Sequence, residues 1–223
     1  MTLNTSIVIA GATGLVGRET LKAVLKDYRV SKVISLSRRK IEMEDSKLEQ
    51  WITNDLSKPE LQANNLTPSV GIIALGTTLK KAGSKEKLRA IDVDLVANTA
   101  KTMREMGVKH LVVISCLGAN PKALSHYLRC KGDMENLVEG LNFDNVSFMH
   151  PGPLAGDRHE HRTDEKLLQG MMRFVTPLMI GKLRNYAPIE ANDVAQAILK
   201  LMYMHNKKPV SRVTTQQILK MVA

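Results

Sequence analysis

Short apolar runs alternate with amphipathic segments along the chain. The run from Ser6 to Ala10 is typical of a buried parallel strand, and it leads into a glycine-rich turn and the amphipathic segment from Leu15 to Lys26. The same pattern predicts further strands at residues 32–37, 51–54, 70–75, 110–115 and 145–150, and further helices at residues 84–106, 123–140, 165–175 and 192–205. A short strand and a final helix are predicted from Ser211 onward. Strands that alternate with helices predict an α/β fold with a parallel sheet and helices on both faces.

The length of the chain favours one domain. Its 223 residues are enough for one sizeable core and are ordinary for a single α/β domain. The alternating pattern loosens after Gly156, where residues 157–162 are polar. We therefore predict a doubly wound parallel sheet of the Rossmann type over residues 1–223, in which residues 156–223 contribute a small C-terminal lobe on the substrate side.

A ligand of such a sheet binds beyond the carboxyl ends of the strands. One glycine, proline or polar residue follows each of the main predicted strands, and these residues are Gly11, Arg38, Asp55, Gly76, Ser115 and Pro151. They are expected to lie along one edge of the sheet and to face a common ligand.

The turn after the first strand has the composition of a phosphate-binding turn. Its residues are Gly11, Ala12, Thr13, Gly14, Leu15, Val16 and Gly17. Glycine permits a tight turn, and the backbone N–H groups at the start of the next helix can hold a pyrophosphate. A plain turn between strand and helix is the alternative, but the position in the first such unit favours a dinucleotide cofactor.

The end of the second strand indicates which dinucleotide binds. A site for NAD usually carries an acidic residue there, which accepts from the ribose 2′-hydroxyl, whereas this chain has Ser37, Arg38 and Arg39. Two guanidinium groups and a hydroxyl suit a 2′-phosphate, so NADP(H) is predicted in preference to NAD(H). A surface loop rich in arginine is the alternative.

Two further turns are assigned to the cofactor. Asp55 can accept from an adenine amino group while Leu56 packs on the ring. The turn formed by Leu75, Gly76 and Thr77 lets a cofactor lie close to the backbone. Ordinary turn chemistry is the alternative in both places.

Tyr127 and Lys131 are the candidate proton donor and its neighbouring cation. They are four residues apart in a predicted helix, so they share one face, and the ammonium group there favours the ionised phenol. Ser115, at the end of the preceding strand, adds a hydroxyl. This spacing also arises by chance in helices, so the assignment depends on the cofactor turn and the strand ends around it.

Composition and charge limit the classes of ligand and partner that we expect for this chain. The formal charge of +10 suits an anionic ligand, but the basic residues are scattered, which argues against nucleic acid binding. Cys116 and Cys130 form no disulfide framework, and His159 and His161 lack a third ligand nearby, so no metal site is predicted. The sequence shows neither a signal-peptide pattern nor an apolar stretch long enough to insert into a membrane, and a cytoplasmic protein is expected.

These segments together resemble the short-chain dehydrogenase/reductase superfamily, in its atypical NADP-binding branch. Within that branch the chain is similar to the Tat-interacting oxidoreductase family and its bacterial NAD(P)-binding relatives. The resemblance covers residues 5 to about 205 and is carried by residues 11–17, 37–40, 75–78, 81–83, 107–110, 115–118, 127–132, 151–152 and 156–158.

The resemblance implies a role for each candidate residue. Tyr127 would protonate a carbonyl oxygen as hydride arrives from the nicotinamide, and Ser115 would orient that oxygen. Lys131 would hydrogen-bond the nicotinamide ribose and favour the ionised form of Tyr127. Pro151 and Gly152 would form the turn that meets the nicotinamide carboxamide.

The chain departs from the family pattern at Asp92, where many relatives carry asparagine. The expected activity is NADP(H)-dependent hydride transfer to a small carbonyl-like substrate, in a pocket formed by residues 77–84, 116–126 and 153–190. The alternative is a catalytically weak or inactive NADPH-sensing protein that regulates a protein partner. The sequence leaves the substrate and the oligomeric state open.

Overall fold

The computed structural model describes residues 4–56, 67–155, 181–204 and 208–223. The strands are β1 (Thr5–Ala10), β2 (Val30–Ser37), β3 (Leu48–Ile52), β4 (Val70–Ile73), β5 (His110–Ile114), β6 (Asn145–His150), β7 (Leu154–Ala155), β8 (Ile189–Glu190) and β9 (Val210–Thr214). Seven of them pair in parallel, in the spatial order β3-β2-β1-β4-β5-β6-β9, and β7 pairs with β8 in a separate ladder. The chain order reverses between β1 and β4, which leaves a crevice at the carboxyl ends of these two strands.

The helices cover the two faces of the sheet. They are α1 (Leu15–Lys26), α2 (Leu79–Ala82), α3 (Lys85–Arg89), α4 (Val96–Glu105), α5 (His126–Glu139), α6 (Ala191–Leu201) and α7 (Thr215–Val222). A π-helical turn at Ala90–Leu95 joins α3 to α4, and a 3₁₀ turn covers Gly181–Tyr186.

Apolar packing fills both sides of the sheet. Ile7 and Ile9 of β1 belong to the cluster formed with α1, α6 and α7, whereas Val8 belongs to the cluster formed with α4 and α5. Successive side chains of a strand point to opposite faces, so a strand covered on both faces must be apolar throughout. This is the physical reason for the unbroken apolar runs in the sequence.

The predicted doubly wound α/β fold of the Rossmann type is confirmed. Strand β3 begins at Leu48, before the predicted start at Trp51, because the edge strand carries the half-buried polar residues Glu49 and Gln50. The helix predicted over residues 84–106 is divided by the π-helical turn. The helix predicted over residues 165–175 lies outside the described residues.

The C-terminal part of the chain contributes to the same sheet. Strand β9 pairs with β6, and α6 packs against α1. Across the described residues, no helix combines the length and the apolar character needed to span a membrane.

Candidate functional site

Two adjoining cavities lie at the carboxyl edge of the sheet. The larger, of about 770 Å³, is lined by residues that follow β1, β4, β5 and β6, including Gly14, Gly76, Ser115 and Pro151. The smaller, of about 70 Å³, lies at the end of β2. Thr13 and Leu75 line both cavities, and the two therefore form one continuous path along the strand ends.

Gly11 occupies a position that excludes any side chain. Its φ is +91°, and a Cβ placed there would lie 2.5 Å from the carbonyl oxygen of Ala74. Gly17 is equally constrained, since its Cβ would lie 2.1 Å from the carbonyl oxygen of Gly11. The start of α1 therefore packs directly on the turn, which brings the helix N-terminus to the cavity.

The first turn of α1 is suited to an anion. Gly14 precedes the helix, no side chain of the described residues caps it, and its first turn contains no acidic residue. The first N–H groups of a helix lack intrahelical acceptors and carry partial positive charge. Thr13, Gly14, Leu15 and Val16 line the larger cavity, so these donors can hold a pyrophosphate there.

Two arginine side chains lie at the smaller cavity. Arg38 and Arg39 are exposed and line the smaller cavity, while the Ser37 hydroxyl donates to the carbonyl oxygen of Arg39 at 2.7 Å and fixes the bend. Leu56 is buried and also lines this cavity. Asp55 is exposed and is not among the lining residues of either cavity.

Asp92 and Lys131 form a buried ion pair in the larger cavity. Asp92 Oδ1 lies 2.7 Å from Lys131 Nζ, and the two side chains are 0% and 4% exposed. The other carboxylate oxygen, Oδ2, accepts from the backbone N–H of Thr77 at 2.8 Å. The π-helical turn carries Asp92 to this position, and a Cβ on Gly76 would lie only 3.3 Å from Asp92 Oδ1. One carboxylate thus fixes both the cation and the turn after β4.

Tyr127 lies one helical turn from Lys131 on α5. Its ring centroid is 5.8 Å from Lys131 Nζ, and the residue is 37% exposed at the cavity wall. The ammonium therefore lies within cation–π distance of the ring, and Asp92 compensates part of its charge.

Ser115 belongs to a second buried network. Its hydroxyl donates to Glu135 Oε1 at 2.5 Å, and His150 Nε2 lies 2.7 Å from the same oxygen. Arg212 Nε donates to Glu135 Oε2 at 2.8 Å. Burial raises the pKa of the Glu135 carboxyl, but the hydrogen bonds from His150, Ser115 and Arg212 outweigh it and hold the pKa below its usual range. Glu135 is therefore an ionised carboxylate at neutral pH.

The turn after β6 presents acceptors rather than donors. Pro151 and Pro153 have no N–H, and the N–H of Gly152 donates to Thr215 Oγ1 at 2.8 Å. The Thr215 hydroxyl donates in turn to the carbonyl oxygen of Asn185 at 2.8 Å. The carbonyl oxygens of Pro151 and Pro153 already accept from the N–H groups of Leu117 and Ile189, at 3.4 and 3.0 Å. A carbonyl oxygen has two lone pairs, so this turn can still offer an acceptor to the amino group of a carboxamide.

Cys116 lines the cavity beside Ser115. Burial raises the pKa of its thiol to about 11, so the thiol stays protonated at neutral pH and is a poor nucleophile. His126 contacts Cys130 Sγ and the carbonyl oxygen of Lys85 and does not line the cavity. His150, at the end of β6, hydrogen-bonds Glu135.

The structure brings most of the predicted site residues to one path. Ser115, Tyr127 and Lys131 share the larger cavity with the turn at Thr13 to Val16, with Leu75 to Thr77, and with Pro151 and Gly152. Glu135 and Arg212 were not predicted. The position of Glu135, four residues after Lys131 on the same helix, is the only sequence signal that points to it. His159 and His161 lie outside the described residues.

The chain matches a known protein family and is similar to named proteins of that kind. A family model described as NAD(P)H-binding matches residues 11–205. The protein FMP52, mitochondrial, of Lodderomyces elongisporus is 34% identical over 169 residues, which are 72% of this chain and 71% of that protein. The protein HTATIP2 of Rattus norvegicus is 36% identical over 171 residues, which are 74% of this chain and 69% of that protein. These matches confirm the resemblance found in the sequence.

Solved structures share the fold. MoeE5 in complex with UDP-glucose and NAD has a TM-score of 0.69 at 16% identity, covering 96% of this chain and 80% of that one. A short chain dehydrogenase family protein from Francisella tularensis has a TM-score of 0.63 at 12% identity, covering 97% of this chain and 99% of that one.

One expectation is wrong. A cytoplasmic protein was expected, but the FMP52 relatives of Lodderomyces elongisporus and Emericella nidulans are named mitochondrial, which points away from the cytoplasm. Unpaired cysteines indicate only a reducing environment. Targeting signals are recognised by receptors, so the composition of the folded core does not reveal the compartment.

Proposed function

The chain belongs to the NAD(P)H-binding family, and from that premise we propose that it is an NADP(H)-dependent reductase of small carbonyl compounds. The observation that carries the proposal is one cavity that joins the N-terminus of α1 to Ser115, Tyr127 and Lys131. Carbonyl reduction requires an acid, a cation beside it and a hydroxyl, all at one end of the cavity that would hold the dinucleotide.

The residues present fit a dinucleotide. Gly11 packs directly against the Ala74 backbone, which holds the turn at the cavity, and the uncapped N-terminus of α1 would supply donors to the pyrophosphate. Pro151 and Gly152 would accept from the nicotinamide carboxamide. The bound cofactor, when reduced, supplies a hydride at the nicotinamide ring.

The preference for NADP(H) over NAD(H) rests on the smaller cavity. Arg38 and Arg39 line it, and no acidic residue does so in the described part of the chain. Guanidinium groups bind a phosphate through paired, charge-assisted hydrogen bonds. An NAD site would instead place a carboxylate on the ribose 2′-hydroxyl.

Tyr127 is proposed as the proton donor to the substrate oxygen. Lys131 would hold the ribose hydroxyls and favour the phenolate that remains after proton transfer, and Asp92 holds Lys131 in place at 2.7 Å. Ser115, in the same cavity, would contact the substrate beside the reacting oxygen.

Turnover tests this assignment. NADPH oxidation is measured over a panel of small aldehydes and ketones for the wild type and for Tyr127→Phe, which removes the phenolic hydroxyl and keeps the ring. The proposal predicts that Tyr127→Phe lowers kcat by a factor of about 10² to 10⁴, the usual contribution of general acid catalysis. Unchanged turnover in this variant would contradict the mechanism.

A second function is favoured by the Asp92 and Lys131 pair. A carboxylate 2.7 Å from the ammonium weakens its effect on Tyr127, and this suits a protein that binds NADPH and signals through a protein partner more than one that turns over rapidly. Tight NADPH binding without turnover on the whole panel, together with a partner that binds only in the presence of NADPH, would favour this reading.

A further inference from the structure

The network behind Ser115 is more extensive than a single hydrogen bond. Glu135 is 2% exposed and contacts three residues from three different elements of the fold: Ser115 after β5, His150 at the end of β6 and Arg212 on β9. Arg212 also contacts Glu139, one turn further along α5, and is 44% exposed. The network therefore runs from the cavity wall to the surface of the molecule.

The direction of each hydrogen bond follows from the charge on Glu135. An ionised carboxylate has no proton and can only accept. The hydrogen between Ser115 Oγ and Glu135 Oε1 must therefore belong to Ser115, and His150 must present a protonated Nε2. A serine hydroxyl has one proton, and here it points away from the cavity.

From this geometry we propose that Glu135 is a positioning residue that makes Ser115 a hydrogen-bond acceptor toward the cavity. The inference rests on the proposed reductase function and specifies its substrate class. Tyr127 is then the group that donates to the reacting carbonyl oxygen, and the lone pairs of Ser115 accept from a hydroxyl beside it. The substrate class is an α-hydroxy carbonyl compound. It gains a hydride from the reduced cofactor and a proton from Tyr127, which gives a vicinal diol and the oxidised cofactor.

Glu135→Gln reverses the direction of the bond to Ser115. Arg212 has only donors, so the amide oxygen of the glutamine must stay beside it. The amide N–H₂ then faces Ser115 and His150. Ser115 accepts from it and turns its own proton into the cavity, and this change favours a plain ketone.

A titration tests the hydrogen bond without any substrate. The ¹³C resonance of the Glu135 carboxyl is followed against pH by NMR in the wild type, in Ser115→Ala and in Ser125→Ala, an exposed serine that precedes α5. Loss of a donor disfavours the carboxylate, so Ser115→Ala is expected to raise the Glu135 pKa while Ser125→Ala leaves it in place. An unchanged Glu135 pKa in Ser115→Ala would overturn the proposal.

A matched pair of ketones tests the substrate class. Acetoin carries a hydroxyl beside its carbonyl, and 2-butanone is the same chain without it. The wild type is expected to show a higher kcat/KM for NADPH-dependent reduction of acetoin, and Glu135→Gln to lower the ratio of the two constants about tenfold, the value of one hydrogen bond. Glu139→Gln, which contacts Arg212 but not Ser115, should keep the wild-type ratio.

The titration and the ketone comparison together distinguish a wrong substrate class from a wrong reductase function. A wild type that favours 2-butanone, or a ratio unaffected by Glu135→Gln, overturns the inferred substrate class. No reduction of either ketone contradicts the reductase, and the substrate class with it, while the titration still decides the direction of the bond. Since Ser115→Ala keeps the Glu135 side chain, the titration remains decisive even where Glu135→Gln fails to fold.

Discussion

Asp92 Oδ1 lies 2.7 Å from Lys131 Nζ in a buried part of the cavity, and the same carboxylate accepts from the N–H of Thr77. This one side chain ties α5, the π-helical turn and the turn after β4 together. Removing it should therefore affect both stability and chemistry.

Asp92→Ala is expected to destabilise the protein by about 3–5 kcal/mol, because it leaves the Lys131 ammonium buried without its counter-charge. Urea unfolding measures this change. Asp94→Ala is the matched control, since Asp94 lies on the same π-helical turn but is exposed, and it should cost less than about 0.5 kcal/mol. Equal losses in the two variants would contradict the role of the pair.

Asp92→Asn keeps an oxygen for the Thr77 N–H but removes the negative charge. The uncompensated ammonium of Lys131 then favours the Tyr127 phenolate more strongly, so the alkaline limb of the pH–rate profile should move to lower pH. The profile of acetoin reduction, recorded beside Asp94→Asn, measures the shift. An alkaline limb that stays in place would show that Lys131 does not act on Tyr127.

Gly11→Ala combines backbone strain with a steric clash. The positive φ costs an alanine about 1–2 kcal/mol, and the Cβ would lie 2.5 Å from the Ala74 carbonyl oxygen, which adds about 1–3 kcal/mol of overpacking. Gly83→Ala has a similar φ of +82° with no atom within 4 Å, so it shows the strain alone. In thermal unfolding, Gly11→Ala should have a much lower Tm than Gly83→Ala. Of the two variants, only Gly11→Ala should lose cofactor binding.

The pH dependence of stability follows from Glu135. Its pKa is lower in the folded than in the unfolded chain, where it is near 4.5, so its contribution is complete above that pH and is lost as pH falls through the lower folded value. The wild type should lose stability steeply below about pH 4.5, and Glu135→Gln should show a shallower acid limb in urea titrations at a series of pH values. Glu139→Gln should keep the steep limb.

Thr215 supports the turn that would meet the nicotinamide. Thr215→Val leaves the N–H of Gly152 and the carbonyl oxygen of Asn185 without their partner, at a cost of about 1–3 kcal/mol. Thr215→Ser keeps the hydroxyl and should retain most of the stability. If urea unfolding shows the two variants equally stable, the hydroxyl is not what holds the turn.

The sheet was predictable because strands buried on both faces must be apolar throughout, and each such run is visible in the sequence. The cofactor turn was predictable for a similar reason, since only glycine fits at Gly11. The π-helical turn was not predictable, because its residues suit an ordinary α-helix. The contact between Asp92 and Lys131 depends on the geometry of this turn and was therefore not predictable either. Glu135 was missed because a glutamate on a helix usually faces solvent, and its partner Arg212 lies far along the chain.

The most direct test of NADP(H) binding is a thermal shift of the wild type and of the Arg38→Ala, Arg39→Ala double variant with NADPH, NADP, NADH and NAD at equal concentrations. A bound cofactor stabilises the folded protein in proportion to how tightly it binds, so Tm should rise more with NADPH and NADP than with NADH and NAD. The double variant should lose this difference, while Lys101→Ala, an exposed cation on α4, should keep it. Equal shifts with all four, or none with any of them, would contradict an NADP(H)-dependent protein.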